Sequence, residues 1–183
     1  HHAQKLVDSG HAYYCFCTPE RLSEIRKVQT ANRLPTRYDG HCRSLGADAV
    51  AEQLQQKVPH VIRLKVPTVG ATSFDDQIYG TITVNNSEID DQVLIKSDGF
   101  PTYHLANVVD DHLMEISDVI RAEEWLPSTP KHVLLYQALG WNAPRFAHLP
   151  MVLGTDRSKL SKRHGATAAL EYRDLGYLPE AVI

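Results

Sequence analysis

The stretch FPTYHLANVVDDHLMEISDVIRAEEWL, Phe100 to Leu126, decides how the rest of the chain reads. After Pro101 the chain turns to helix, and Tyr103, Asn107 and Asp111 recur at a four-residue spacing that places them on one face. Ser117 to Arg121 then reads as a short buried strand whose apolar pair, Val119-Ile120, runs into an arginine. A parallel sheet takes its ligand at the carboxyl ends of its strands, which is where Arg121 would stand. A phenol, a carboxamide and a guanidinium, from Tyr103, Asn107 and Arg121, can converge there on a small zwitterion, the arginine fork being suited to a carboxylate. Purely structural duties for the same residues are the other reading.

Downstream, Thr129-Pro130 starts a helix that Gly140 ends, Phe146 to Leu153 is a strand, and Thr167 to Leu175 is helical. Upstream, Ala3 to Ser9 looks like the end of a helix stopped by Gly10, and Tyr13 to Cys17 is a short aromatic strand. Thr18-Pro19-Glu20 supplies an N-cap, a first-turn proline and a dipole-matched acid for a helix over Pro19 to Ala31. Leu34 to Gly46 is a loop and Asp48 to Lys57 a second helix. From Val61 the apolar period becomes two, so that strands are expected at Val61 to Val66, within Ser73 to Val84 and at Gln92 to Lys96. The first half is therefore an α+β unit, and the second alternates strand and helix as a nucleotide-binding sheet does.

The 183 residues are 43% apolar with a formal charge of -3, the balance of an ordinary globular protein rather than a strongly basic nucleic-acid coat. No apolar run approaches the ~20 residues needed to span a bilayer, and the N-terminus lacks the apolar core of a secretion signal, so no membrane partner and a cytoplasmic location are expected. Three cysteines, Cys15, Cys17 and Cys42, argue against a disulfide framework. Two thiolates and a third soft ligand suit tetrahedral zinc, with Tyr38 and His41 as nearby fourth ligands; idle thiols are the alternative. Near the C-terminus, K-L-S-K-R-H-G sets Lys159, Lys162 and Arg163 around Ser161. Such a loop is either a solvated basic turn or one that folds over a polyphosphate and stabilises a departing pyrophosphate.

Taken together, these segments resemble a known family. K-L-S-K-R resembles the KMSKS loop of class I aminoacyl-tRNA synthetases. The opening stretch, S-T-P-K-H-V-L-L-Y-Q-A-L-G-W, L-P-E-A-V-I, Y-D-G-H-C-R and A-Y-Y-C-F-C-T-P-E-R-L resemble the glutamyl-tRNA synthetases across essentially the whole chain. The resemblance implies an α/β fold: the second half of a class I synthetase Rossmann-type fold with an inserted α+β acceptor-stem-binding (connective) domain. Residues 1–9 would end the first Rossmann half, 10–107 form the insert, and 108–183 the second half with the KMSKS-type loop. It places glutamate on Tyr103, Asn107 and Arg121, and gives Lys159, Ser161 and Lys162 the catalytic loop that closes over ATP. Lys96, Glu124, Trp125, Met151, Val152 and Lys162 fall around ATP and the tRNA 3′ end. Cys15, Cys17 and Cys42 match a zinc site of some members. Where some of these carry a histidine two residues past the third cysteine, Ser44 stands here, and Tyr38 is the fourth ligand by similarity to glutamyl-queuosine enzymes.

The implied activity is a glutamate–tRNA ligase, using ATP with Mg²⁺ to activate L-glutamate and pass it to tRNA-Glu, as a monomer; members of the family need tRNA for the activation step. A glutamyl-queuosine tRNA-Asp synthetase and a non-catalytic tRNA-binding module are the rivals. The family's HIGH motif and the N-terminal arginine that reads the glutamate side chain have no counterpart here. With the mid-helix start, this leads to the expectation of a fragment that is inert alone, lacking roughly a hundred residues before His1, the order of one mononucleotide-binding half, and an anticodon-binding region after Ile183.

Overall fold

The computed structural model describes residues 1–154, 157–159 and 169–181. In chain order they form α1 (His2–Asp8), β1 (Ala12–Cys15), α2 (Pro19–Ala31), α3 (Ala47–Gln55), β2 (Val61–Leu64), β3 (Ala71–Asp76), β4 (Gly80–Asn85) and β5 (Val93–Ile95). After these come α4 (Tyr103–Leu113), β6 (Asp118–Ala122), α5 (Thr129–Leu139), β7 (Arg145–Leu149) and α6 (Ala169–Asp174). The helix ends follow the local chemistry. Thr18 caps α2 by accepting the Arg21 amide, with Pro19 in the first turn. Gly140 closes α5 at φ 71°, a left-handed conformation that glycine adopts without steric cost.

Among the described residues the strands form two sheets. One is antiparallel, in the order β1-β2-β5; the other has the order β4-β3-β7-β6. In the second, β6 and β7 run parallel from Asp118↔Arg145 to Ala122↔Leu149, and β3 joins β7 in parallel at Asp76↔Phe146. The β3–β4 hairpin thus lies in the same sheet as β6 and β7, so its strands come from both sides of the position, 107/108, where the sequence places a domain boundary. Helix α4 also crosses that position.

A continuous core joins both sheets. Leu6 of α1, Ile62 and Leu64 of β2, Phe74 of β3, Leu94 of β5, Leu105 and Val108 of α4, Leu135 of α5 and Phe146 of β7 belong to one buried cluster. Helix α5 is covered on nearly every side, with Thr129, Pro130, His132, Val133, Leu134, Leu135 and Tyr136 all buried, as its packing against α1, α4 and β3 requires. Each fully buried aliphatic side chain of this kind contributes about 1.5–3 kcal/mol.

Two strands differ from the sequence reading. β6, expected to be buried, has Ile120 66% exposed, because it is the outermost strand and has β7 on one side only among the described residues. β7 stops at Leu149 rather than Leu153, because Pro150 has no amide to continue the ladder. No helix among the described residues is long and apolar enough to cross a membrane.

Candidate functional site

Helix α4 splits its faces between core and cavity. Leu105 and Val108 are buried in the core, while Tyr103, Ala106, Asn107, Asp110 and Asp111 line a cavity of about 490 Å³ whose far side is β6 from Asp118 to Arg121. The sequence-expected triad of Tyr103, Asn107 and Arg121 therefore meets around one space. Two of its atoms are buried without a partner among the described residues: Asn107 Oδ1, an acceptor, and Arg121 Nη1, a donor. Buried polar groups are normally satisfied, so an acceptor and a donor without a partner stand on two residues of the cavity wall. Tyr103 closes the rim, its ring centroid 4.9 Å from that of Trp125, and the Arg121 guanidinium lies 5.8 Å from the Trp125 ring centre.

Arg121 is held by residues that the sequence reading left without a role. Its Nε donates to His148 Nε2 at 3.0 Å and its Nη2 to Thr129 Oγ1 at 2.9 Å, with His132 Nδ1 3.4 Å from Nη2. Burial lowers the guanidinium pKa from its ordinary value. An arginine has only donors, so His132 Nδ1 faces it as an acceptor and the His132 proton sits on Nε2, which lies 2.9 Å from His104 Nδ1. Burial first, and then the Arg121 charge, push the His132 pKa down to about 3. Asp111 on the cavity wall is shifted upward, chiefly by burial. The only sequence signal for this support was His148, which takes an inward strand position two residues after the buried Phe146.

The residues expected around ATP and the tRNA end are arranged less tightly. Glu124 and Lys159 form an exposed ion pair at 2.5 Å. Lys96 pairs with Asp98 at 2.9 Å in the turn before α4, and the amide of Met151 donates to Glu123 Oε1 at 3.1 Å. That Glu123 carboxylate also accepts from the Tyr79 hydroxyl, which ties the tip of the β3–β4 hairpin to the Met151 segment. Val152 is 70% exposed. Lys96, Met151 and Val152 are not on the wall of the α4–β6 cavity. Ser161 and Lys162 lie outside the described residues.

A second cluster sits at the end of β1. The sulfurs of Cys15, Cys17 and Cys42 all lie within 4.8 Å of one another. The Tyr38 hydroxyl is 3.3 Å from Cys15 Sγ and 3.4 Å from Cys17 Sγ, and it accepts the Cys42 amide at 2.9 Å. His41 is exposed and stands outside this group. Burial raises the Cys15 thiol, but hydrogen bonds led by that of Tyr38 outweigh it and leave the thiol lowered; Cys17 is pushed up to about 11, burial again being the main cause. Arg63 lies 4.0 Å above the Tyr38 ring and Arg21 Nη1 is 3.4 Å from Cys17 Sγ, so two cations surround a site suited to thiolates. Three thiols at these separations suit a metal ion of the zinc type, with Zn–S bonds of about 2.3 Å, while burial and the neighbouring sulfurs push the Tyr38 phenol well above its ordinary pKa.

Residues 1–183 match a family model described as tRNA synthetases class I (E and Q), catalytic domain. A glutamate–tRNA ligase of Treponema denticola is 58% identical over 183 residues, covering 100% of this chain and 36% of its own length. One from Borrelia duttonii is 58% identical with the same coverage. Among solved structures, the glutamate-tRNA synthetase from Elizabethkingia anophelis matches with a TM-score of 0.84 at 42% identity, over 98% of this chain and 41% of that one. A glutamate tRNA ligase from Elizabethkingia meningosepticum, solved in complex with its amino acid, matches with a TM-score of 0.83 at 40% identity, over 99% and 42% of the two chains. The chain spans about a third of the length of the curated relatives it matches.

Proposed function

The chain belongs to the catalytic-domain family of the class I tRNA synthetases for glutamate and glutamine, and from that premise we propose that the protein containing it is a glutamate–tRNA ligase. The observation that supports this reading is the pair of unpartnered buried atoms, Asn107 Oδ1 and Arg121 Nη1, on two residues that line the α4–β6 cavity. An amino acid in its zwitterionic form supplies both missing partners, an ammonium for the first and a carboxylate oxygen for the second. The choice of glutamate is supported by relatives that carry that name at 58% identity.

In this reading the α-carboxylate of glutamate attacks the α-phosphorus of ATP, the bond to the bridging oxygen breaks, and pyrophosphate leaves. The terminal ribose hydroxyl of tRNA-Glu then attacks the acyl carbon, loses its proton, and releases AMP. Mg²⁺ supplies charge neutralisation on the phosphates. The chain's own contribution is to hold the amino acid still, since fixing a nucleophile in an attacking pose removes much of the entropic barrier. Lys159, with Ser161 and Lys162, stabilises the departing pyrophosphate, and Lys96, Glu124, Trp125, Met151 and Val152 border ATP and the tRNA end. Glu124 parks Lys159 in an exposed ion pair, of the kind worth about 0–1 kcal/mol and easily exchanged for phosphate. Cys15, Cys17, Cys42 and Tyr38 hold Zn²⁺, a cross-link between β1 and the loop before α3 that has no part in the reaction.

The test is glutamate-dependent exchange of pyrophosphate into ATP by the full-length protein, with and without tRNA-Glu. Exchange that requires tRNA-Glu is the expected outcome. Exchange without tRNA would transfer the assignment to a queuosine-charging enzyme, and no exchange under either condition would leave a tRNA-binding module.

A further inference from the structure

Arg121 is met from behind by His148, which is itself held by Asp76 on the neighbouring strand. His148 Nδ1 lies 2.6 Å from Asp76 Oδ2, with both side chains 0% exposed. Because Arg121 Nε can only donate, His148 Nε2 must accept, and the single ring proton therefore sits on Nδ1 and is given to the Asp76 carboxylate. Asp76 is itself immobilised. Its Oδ1 accepts the amides of Ile78 and Tyr79, each at 3.0 Å, and that of His148 at 3.4 Å. Burial works to raise this carboxyl, yet the hydrogen bonds prevail and keep it below the usual range. With Nε and Nη2 both engaged, Nη1 is the guanidinium nitrogen without a hydrogen-bond partner among the described residues, on a residue that lines the α4–β6 cavity.

We propose that Asp76 and His148 are positioning residues for the amino-acid site: Asp76 locks the His148 tautomer that receives Arg121 Nε, and so aims Arg121 Nη1 at the ligand carboxylate. This rests on the reading of Arg121 as a glutamate-binding residue. It makes the β3–β4 hairpin part of the site, although no atom of the hairpin lines the cavity. A carboxylate is needed rather than an isosteric amide. An asparagine at 76 must turn its NH₂ either toward His148 Nδ1 or toward the Ile78 and Tyr79 amides. The first choice forces the ring proton onto Nε2, opposite Arg121 Nε, and the second sets donor against donor in the hairpin turn.

The experiment uses the full-length protein and steady-state charging of tRNA-Glu, with KM for glutamate and for ATP measured separately. D76N is expected to raise the glutamate KM by about tenfold or more, with the ATP KM held within about twofold, because a misaimed anchor weakens one substrate and not the other. A structural role alone would lower the active fraction, and with it kcat, while leaving both KM values unchanged. Two variants at 148 give a second reading. H148Q keeps an acceptor at the level of Nε2 and should retain more glutamate affinity than H148N, whose amide stops at the level of Nδ1. An unchanged glutamate KM in D76N, or equal KM values in H148Q and H148N, would overturn the proposal. Failure of all three to fold would also overturn it, by assigning the pair to the core. Wild-type protein that charges no tRNA with glutamate would instead defeat the functional reading on which the proposal depends.

Discussion

His132 shows how a single buried side chain converts the architecture of the site into a measurable property. It is 1% exposed, and its pKa is lowered to about 3 by burial and then by the Arg121 charge. His104, its neighbour, is lowered as well, first by burial and then by Lys131 and Arg121. In the unfolded chain both titrate near 6.5. Between about pH 6.5 and pH 3 the unfolded state therefore binds protons that the native state refuses, so stability rises with pH through this window and is lost as pH falls. The slope from His132 alone is about 1.4 kcal/mol per pH unit. Denaturant unfolding at pH 6 and pH 5 should accordingly give a drop in stability that shrinks by about one proton's worth in H132Q. An identical drop in both proteins would mean that His132 is protonated when folded. Asp76 does not confuse the result, because a lowered carboxyl loses its contribution only below its unfolded pKa, 3.8. At this scale Tyr103, Asn107 and Arg121 were legible because a four-residue spacing and a strand end are local features. Asp76 and His148 were not, since what gives them meaning is a hydrogen bond across 72 residues of chain.

Among the elements of the described residues, α2 is the longest helix, yet like α3 it buries no residue at all. What holds it is at its ends: the Thr18 cap, the Arg21–Asp39 pair at 2.6 Å, and Gln29, which donates to the Arg37 carbonyl at 2.9 Å and accepts the Arg37 amide at 3.1 Å. The helix therefore leans on the loop that carries Tyr38 and Cys42, which is anchored by the thiol cluster together with Arg43 on Asp91 and the Tyr38 amide on Asp90. If the cluster holds zinc as proposed, chelating it from the full-length protein should strip hydrogen-exchange protection from α2 and residues 34–46 while leaving β3 and β7 protected. Unchanged protection in α2 would mean that the cluster is ornamental to it. T18A should cost about 1 kcal/mol, read as faster exchange confined to the first turn of α2; exchange spread evenly along the helix would place its anchor elsewhere. The ends of α2 could be read from Thr18-Pro19-Glu20 because capping is a matter of adjacent residues. The company kept by β3 and β4 could not, since period-two patterning identifies a strand without naming its neighbour, and the Asp76↔Phe146 pairing is decided by the whole sheet.

For the molecule as a whole the question is whether two sheets make two stability units. The buried cluster runs through both, from Ile62 and Leu94 of one to Phe74 and Phe146 of the other, with α5 packed against α1, α4 and β3. Leu135, at 0% exposed, lies in that shared layer. Replacing it with alanine removes three carbons from a packed interior and should destabilise the protein by about 2–5 kcal/mol, the spread reflecting how far the neighbours can relax. The location of the loss is more informative than its size. If the core is continuous, the slowest-exchanging amides of β1–β2 and of β3–β4 will fall by the same free energy in L135A, because both are released only by the same opening. A fall confined to one sheet would show that the two come apart independently. The α4–β6 cavity would then sit on a hinge, since Asp76 and His148 belong to one sheet and α4 is tied to the other through the Thr102 amide on Leu94.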